Sequence, residues 1–273
     1  MEIFDQSMKE KLDHLVVRPF LAEDIESSIQ GVGESSDILY SRIPENKRGS
    51  YGIVFVIETI SNYLFTELEG KDLLRLLPKI FERAGDHRVR GVTLGLMANY
   101  SKEGPLSFIE YFKKAAASDD WIIREHSQFF FRRVIHSRRL EARQVLRGLS
   151  VSKDPRIRRF VAETLRPVKE NRWFYDEPEY PLSILRGMFK ESEKYPRTAV
   201  GNNLSDLSRK LPELIFDIVK ELVASSDPNS YWIAYRACRN LVRSQPNRVL
   251  DALGQDVYKY KKKVYERNGL QGD

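Results

Sequence analysis

With 273 residues, 41% of them hydrophobic and 31% charged, and a net charge of +6, the chain has apolar material for a core and too many charges for a membrane-embedded body. No apolar run approaches the ~20 residues that a membrane-spanning helix needs. The single cysteine, Cys238, excludes an intrachain disulfide and a cysteine-based zinc site, and His14, His87, His126 and His136 have no metal-ligand spacing, so neither a metal nor a cofactor is expected.

The N-terminus, MEIFDQSMKEKLDHLV, interleaves acids and bases without an apolar signal core. It reads as helix, and the chain as a cytoplasmic protein in a reduced compartment. Helices are expected over residues 9–29 and 51–67, joined by a Gly/Ser/Asp-rich loop at 31–37 and a turn at 44–50. One more amphipathic helix, over 72–84, completes an N-terminal helical cap spanning 1–84.

From Gly85 a pattern recurs. Five copies begin at Gly85, Asp119, Asp154, Glu193 and Asp227, with starts 34, 35, 39 and 34 residues apart, each a turn or acidic residue followed by an amphipathic helix. One such unit cannot bury its own apolar face, so units of this length stack. The expected fold is all-α, an α-solenoid of HEAT-like two-helix repeats over 85–254 behind the N-terminal cap. An aromatic, proline-containing loop at 169–181 accounts for the 39-residue step, and a basic helix over 257–267 is expected within the C-terminal stretch 255–273.

Charge is uneven along the chain. Residues 121–172 hold twelve Arg and two Lys against five acids. A merely solvated face has no reason to prefer Arg to Lys, whereas the guanidinium fork matches phosphate oxygens at two points. A nucleic-acid backbone is the leading partner; salt bridges between repeats and an acidic protein partner are the alternatives. Within the repeats, Gln128, Glu163 and Asn202 each lie nine residues after an acidic start, and Asp206 lies one helical turn beyond Asn202. Equivalent positions on stacked helices share a surface, so these side chains are expected to form a polar row on or beside the Arg-rich face. Alternatively Asn202 and Asn203 cap or bridge helices, and Glu163 and Asp206 neutralise nearby arginines.

The segments VAETLRPVKENRW (161–173), AVGNNLSDLSRKLP (199–212) and WIAYRACRNLVR (232–243) resemble the AlkC branch of the AlkC/AlkD-type DNA alkylation-repair proteins. The resemblance spans roughly residues 121–254, its strongest element being the asparagine pair followed by Leu-x-Asp. It implies a HEAT-like solenoid that grips double-stranded, alkylated DNA in a concave groove and excises cationic N-methylated bases such as 3-methyladenine. Position by position, it implies Glu163 and Asp206 as the catalytic acids and Trp173 as the aromatic that approaches the lesion. Where the family has a glutamate, this chain has Gln128, in the segment SQFFFRRV, and the stretch between Pro167 and Trp173 is two residues longer than usual.

A 3-methylated purine is already cationic and leaves as a neutral base, so the site needs carboxylates that face the developing oxocarbenium charge and orient a water. Phosphate contacts are expected from Arg132, Arg158, Arg159, Arg166, Arg239 and Arg243, with Asn202 and Asn203 beside them, and the protein is expected to act as a monomer. Gln128 adds no charge to such a site. That leaves open a non-catalytic DNA-structure binder, or a protein-interaction scaffold; Gln128→Glu is expected to raise base excision if only the charge is missing.

Overall fold

The computed structural model describes residues 3–69, 73–104 and 106–267. Its contacts divide the chain into two units, Met1–Arg138 and Arg139–Asp273. Among the described residues no helix is long and apolar enough to cross a membrane.

The first unit holds α1 (Gln6–Leu12), α2 (Arg18–Leu21), α3 (Ile25–Ser41), α4 (Gly49–Glu67), α5 (Leu76–Arg83), α6 (His87–Glu103), α7 (Ile109–Ala116) and α8 (Trp121–Ser137). A π-helical turn, Asp13–Val17, joins α1 to α2, and the helix is interrupted by a turn at 22–24 before Asp24 caps α3. The expected loop at 31–37 is instead the middle of α3. Its small residues serve packing: a Cβ on Gly31 would lie 1.7 Å from the Leu15 carbonyl oxygen, so only glycine lets α3 lie against the π turn. Ser28 and Ser36, both buried, satisfy their hydroxyls on the Asp24 and Val32 carbonyls of their own helix. The helix expected from Asp72 begins, within the described residues, at Leu76; Asp72 itself lies outside them.

The second unit holds α9 (Arg139–Leu149), α10 (Pro155–Thr164), α11 (Glu179–Leu185), α12 (Lys194–Leu207), α13 (Pro212–Ala224), α14 (Pro228–Ala237) and α15 (Pro246–Leu253), followed by an antiparallel hairpin of β1 (Val257–Tyr260) and β2 (Lys263–Glu266). The hairpin replaces the basic helix expected over 257–267. Alternation of Tyr258 and Tyr265 with lysines gives a period of two, and the two tyrosines, directly paired, are the buried side. The expected loop at 169–181 is also structured: a 3-10 segment, Lys169–Tyr175, leads into α11.

The fivefold sequence rhythm is a rhythm of helix caps. Asp86, Asp120, Asp154 and Asp227 accept backbone N–H groups in the first turns of α6, α8, α10 and α14 at 2.7–3.0 Å. At α12 the cap position, Glu193, makes no such bond, and its own N–H is held by Glu191 at 3.0 Å. In the first unit α6 packs between α4 and α8, with α5 and α7 backing α6 and α8. In the second, α12 packs between α10 and α14, with α13 behind α14. The apolar side chains buried between layers include Phe130, Phe131, Val134 and Ile135 on α8 and Phe216 and Ile218 on α13. Burying each is worth at most about 1.5–3 kcal/mol. Cys238, at the C-cap of α14, is fully buried, and burial pushes its thiol up to about 12.

Candidate active site

The helix caps fix which residues of the repeats are equivalent. Asp154 and Glu193 cap α10 and α12, so Glu163 and Asn202 both lie nine residues beyond a cap. On α8 the cap is Asp120 and not Asp119, so the position equivalent to Glu163 is Phe129, and Gln128 lies about 100° around the helix. The doublet Asp119–Asp120 concealed this one-residue shift. The same register appears in the arginines: Arg124 reaches back to the Ser118 and Asp119 carbonyls just as Arg158 reaches back to those of Ser152 and Lys153.

Gln128 is buried and donates from Nε2 to the Glu125 carboxylate within its own helix. It lines a largely apolar cavity of about 430 Å³ with Ile53, Val54, Trp121, Phe129 and Arg132. Arg132, expected as a phosphate contact, is 8% exposed and forms a wall of that cavity. Burial, reinforced by the neighbouring His87, lowers His126 in the same wall to about 4.

In the second unit three successive repeat helices exchange polar contacts. α10 stops at Thr164, ahead of Pro167, and Arg166 turns back across its end. From there Arg166 donates Nη1 to Glu163 Oε2 at 3.1 Å, and Nε and Nη2 to Asp206 Oδ2 at 2.8 and 2.5 Å. One guanidinium therefore ties together the carboxylates of α10 and α12, each on a side chain only 7% exposed. Burial pulls the Arg166 guanidinium down, and the two carboxylates outweigh it, so the net shift is upward. Asp206 Oδ1 is met by Arg239 at 3.3 Å and Arg209 at 3.4 Å.

Asn202 Oδ1 accepts from Arg236 Nε and Arg239 Nη1 at 2.8 and 2.7 Å, and Arg239 Nε donates to Ser205 Oγ at 3.0 Å. Burial, with Arg239 nearby, lowers the Arg236 guanidinium. Asn203, fully buried, donates to the Ala162 carbonyl at 2.9 Å and so bridges α12 to the unsatisfied end of α10. Asn203 thus bridges α12 to α10 through a backbone carbonyl, and Asn202 bridges α12 to α14 through Arg236.

Asp206 opens into a polar cavity of about 470 Å³ whose cations are Arg166, Lys169, Arg172, Arg209 and Lys210. Its aromatic wall is Tyr175, whose hydroxyl donates to the Asp206 carbonyl at 3.3 Å and whose ring lies 5.0 Å below the Lys210 ammonium. Buried Asn171 shapes this wall by donating to the Thr164 and Arg166 carbonyls at 2.9 and 3.4 Å, folding the 3-10 segment back on the end of α10. Trp173 is not among the residues lining the cavity. It sits in a cluster with Phe174 and Tyr180 at centroid distances of 4.4 and 4.9 Å, under Arg139 at 4.1 Å. Tyr175, two residues beyond Trp173, is the aromatic that lines this cavity, an offset equal to the two extra residues after Pro167.

The remaining arginines divide. Arg158 makes a two-point pair with buried Glu191 at 2.6 and 2.9 Å, a structural bond between α10 and the start of α12. Arg159 lies 4.5 Å above the Tyr195 ring and 3.8 Å from Glu163. Arg243 is exposed beside the β hairpin.

No protein-family model and no curated protein matches the sequence. Solved structures do. An alkylpurine DNA glycosylase, AlkC from Pseudomonas fluorescens, bound to DNA containing an abasic site analog, aligns with a TM-score of 0.59 at 21% identity, over 94% of this chain and 68% of that one. AlkD2 from Streptococcus mutans aligns with a TM-score of 0.59 at 17% identity, over 77% of this chain and 97% of that one, and the smu.31 structure from Streptococcus mutans UA159 is equally similar. Like the motifs at 161–173 and 199–212, this likeness points one way: the chain has the all-α helical-repeat fold of the AlkC and AlkD2 proteins.

Proposed function

We propose that this protein acts in DNA alkylation repair as a monofunctional N-glycosylase that releases cationic N-methylated bases from duplex DNA. The observation that carries the reading is the Glu163–Arg166–Asp206 bridge at the mouth of a cationic cavity. A scissile nucleotide brings phosphates, which Lys169, Arg172, Arg209 and Lys210 attract, and a sugar whose bond to the cationic base breaks without an acid catalyst. Asp206 is the carboxylate that faces the cavity. It stabilises the oxocarbenium charge and orients the attacking water, while Arg166 and Arg239 fix its oxygens before the reaction begins. Glu163, behind it, holds Arg166 in place and adds a second negative charge. Tyr175 supplies the aromatic surface beside the lesion. The likeness to a DNA-bound alkylpurine glycosylase supports the same reading.

A second reading, a non-catalytic binder of damaged duplex DNA, is favoured by one observation: every carboxylate oxygen of Asp206 already meets a guanidinium. The two are separated by incubating the protein with methylated duplex DNA and measuring released 3-methyladenine by chromatography, alongside the salt dependence of duplex binding. Release supports the glycosylase. Steeply salt-dependent binding without release supports the binder, and binding that ignores salt defeats both.

A further inference from the structure

We infer that the C-terminal hairpin is a second phosphodiester-binding element, which takes the backbone of duplex DNA separately from the Asp206 cavity; this rests on the reading that the chain grips duplex DNA. The turn between β1 and β2 is Lys261–Lys262, with Lys263 directly following and Lys259 on the preceding strand. Together with Arg243, Tyr260 and Tyr265, the three consecutive lysines line a cavity of about 610 Å³ that, among the described residues, no carboxylate lines.

The acids near the hairpin lie elsewhere. Asp251 and Asp256 are engaged by Arg267 at 2.6 and 3.0 Å, and Glu266 pairs across the ladder with Val257, at the base. The base is thus charge-matched, and among the described residues Arg243 and the four lysines have no carboxylate partner. A solvated turn does not need this arrangement. Lys261 moreover adopts φ 58, a left-handed conformation that turns usually assign to Gly, Asn or Asp and that costs a lysine about 1 kcal/mol. Gly or Asn takes that conformation at lower cost.

The hairpin is also held in place. Tyr258, fully buried, stacks on Tyr235 of α14 at 4.3 Å and donates its hydroxyl to the Tyr235 carbonyl at 2.9 Å. The Tyr235 hydroxyl in return donates to the Lys259 carbonyl at 2.9 Å and accepts from the Lys259 N–H at 2.8 Å. Residues just beyond that helix supply Arg239, which holds Asp206. The lysine tip is therefore anchored to the element that closes the carboxylate site, and a backbone bound at the tip is held in a fixed register with it. A closely spaced row of phosphates suits exposed lysines at a hairpin tip, because lysine acts on phosphate as a point charge and needs no two-point geometry.

The test compares the full chain with a variant carrying Lys261→Ser, Lys262→Ser and Lys263→Ser, titrated with undamaged duplex DNA over a salt series. The slope of log affinity against log salt is expected to become shallower by about two to three units in the triple variant, and by about one unit in Arg243→Ala. Thermal unfolding is expected to stay unchanged, since the hairpin packs through its tyrosines. Base release per bound complex at saturating protein is also expected to be unchanged. An unaltered slope in the triple variant, with steep wild-type binding intact, overturns the hairpin proposal and leaves the glycosylase reading standing. Wild-type affinity that ignores salt overturns the duplex-binding reading itself, and the hairpin proposal with it.

Discussion

α8 and α12 are both entered through an acidic residue, and both carry polar side chains where a repeat helix ordinarily packs apolar ones, yet those side chains turn to different neighbours. On α8, Gln128 bonds back to Glu125 of its own helix beside an apolar cavity. On α12, Asn202 and Asp206 reach outward, to arginines that follow α10 and that lie on and after α14. A polar residue bonded within its own turn is tied to its own helix. One that is satisfied across helices can fix a charge in space, and this is what an active site needs.

The comparison is tested most strongly by acid. His126 has its ordinary value near 6.5 in the unfolded chain and about 4 when buried beside His87 and Asp120. Between these values the unfolded chain binds the proton that the folded state refuses, so stability is full above pH 6.5 and falls as pH drops toward 4. The loss amounts to about 3 kcal/mol, and His126→Gln removes that part of the slope. Urea unfolding across this range measures it; a wild-type profile matching that of the variant disproves it.

Next in size, Asp206→Asn is expected to reduce 3-methyladenine release by ~10² or more, while affinity for undamaged duplex stays equal or rises because a negative charge beside phosphates is gone. Undiminished release in a single-turnover assay would remove Asp206 from the chemistry. Gln128→Glu is expected to do the opposite of what a missing catalytic charge implies. The new carboxylate lands on Glu125, costs about 2 kcal/mol of stability, and gives no gain in release. The exchange Glu125→Gln with Gln128→Glu restores stability, which separates repulsion from a general packing defect.

The smallest effect distinguishes two kinds of arginine. Arg209→Ala, at an exposed residue beside Asp206, is expected to reduce the salt slope of duplex binding by about one unit with little change in stability. Arg158→Ala is expected to leave the slope alone and lower stability, because Glu191 loses its two-point partner. Equal slopes in both variants would erase the distinction between structural and phosphate-facing arginines.

The capped-helix rhythm was legible because an N-cap is a local event: an acid, a turn and an amphipathic run lie within a few residues of one another. Glu163 and Asp206 were legible for the same reason, as carboxylates at positions that a helix core rejects. What escaped depended on distant partners. The 31–37 stretch looks like a loop until Leu15 is placed against Gly31. Lysine-rich 257–267 looks helical until Tyr258 is seen to need Tyr235. The equivalence of Gln128 to Glu163 failed at a doublet, Asp119–Asp120, in which either residue suits a cap, and only the hydrogen bond to Ile122 chooses between them.

Cys238 gives the second unit a reporter of its own motion. Its thiol is fully buried at the end of α14 and resists ionisation, so a thiol reagent has no target in the folded chain. Since the sequence holds no other cysteine, the labelling rate counts how often the last repeat opens. Measured with and without duplex DNA, that single rate shows whether a bound duplex holds this end of the molecule shut.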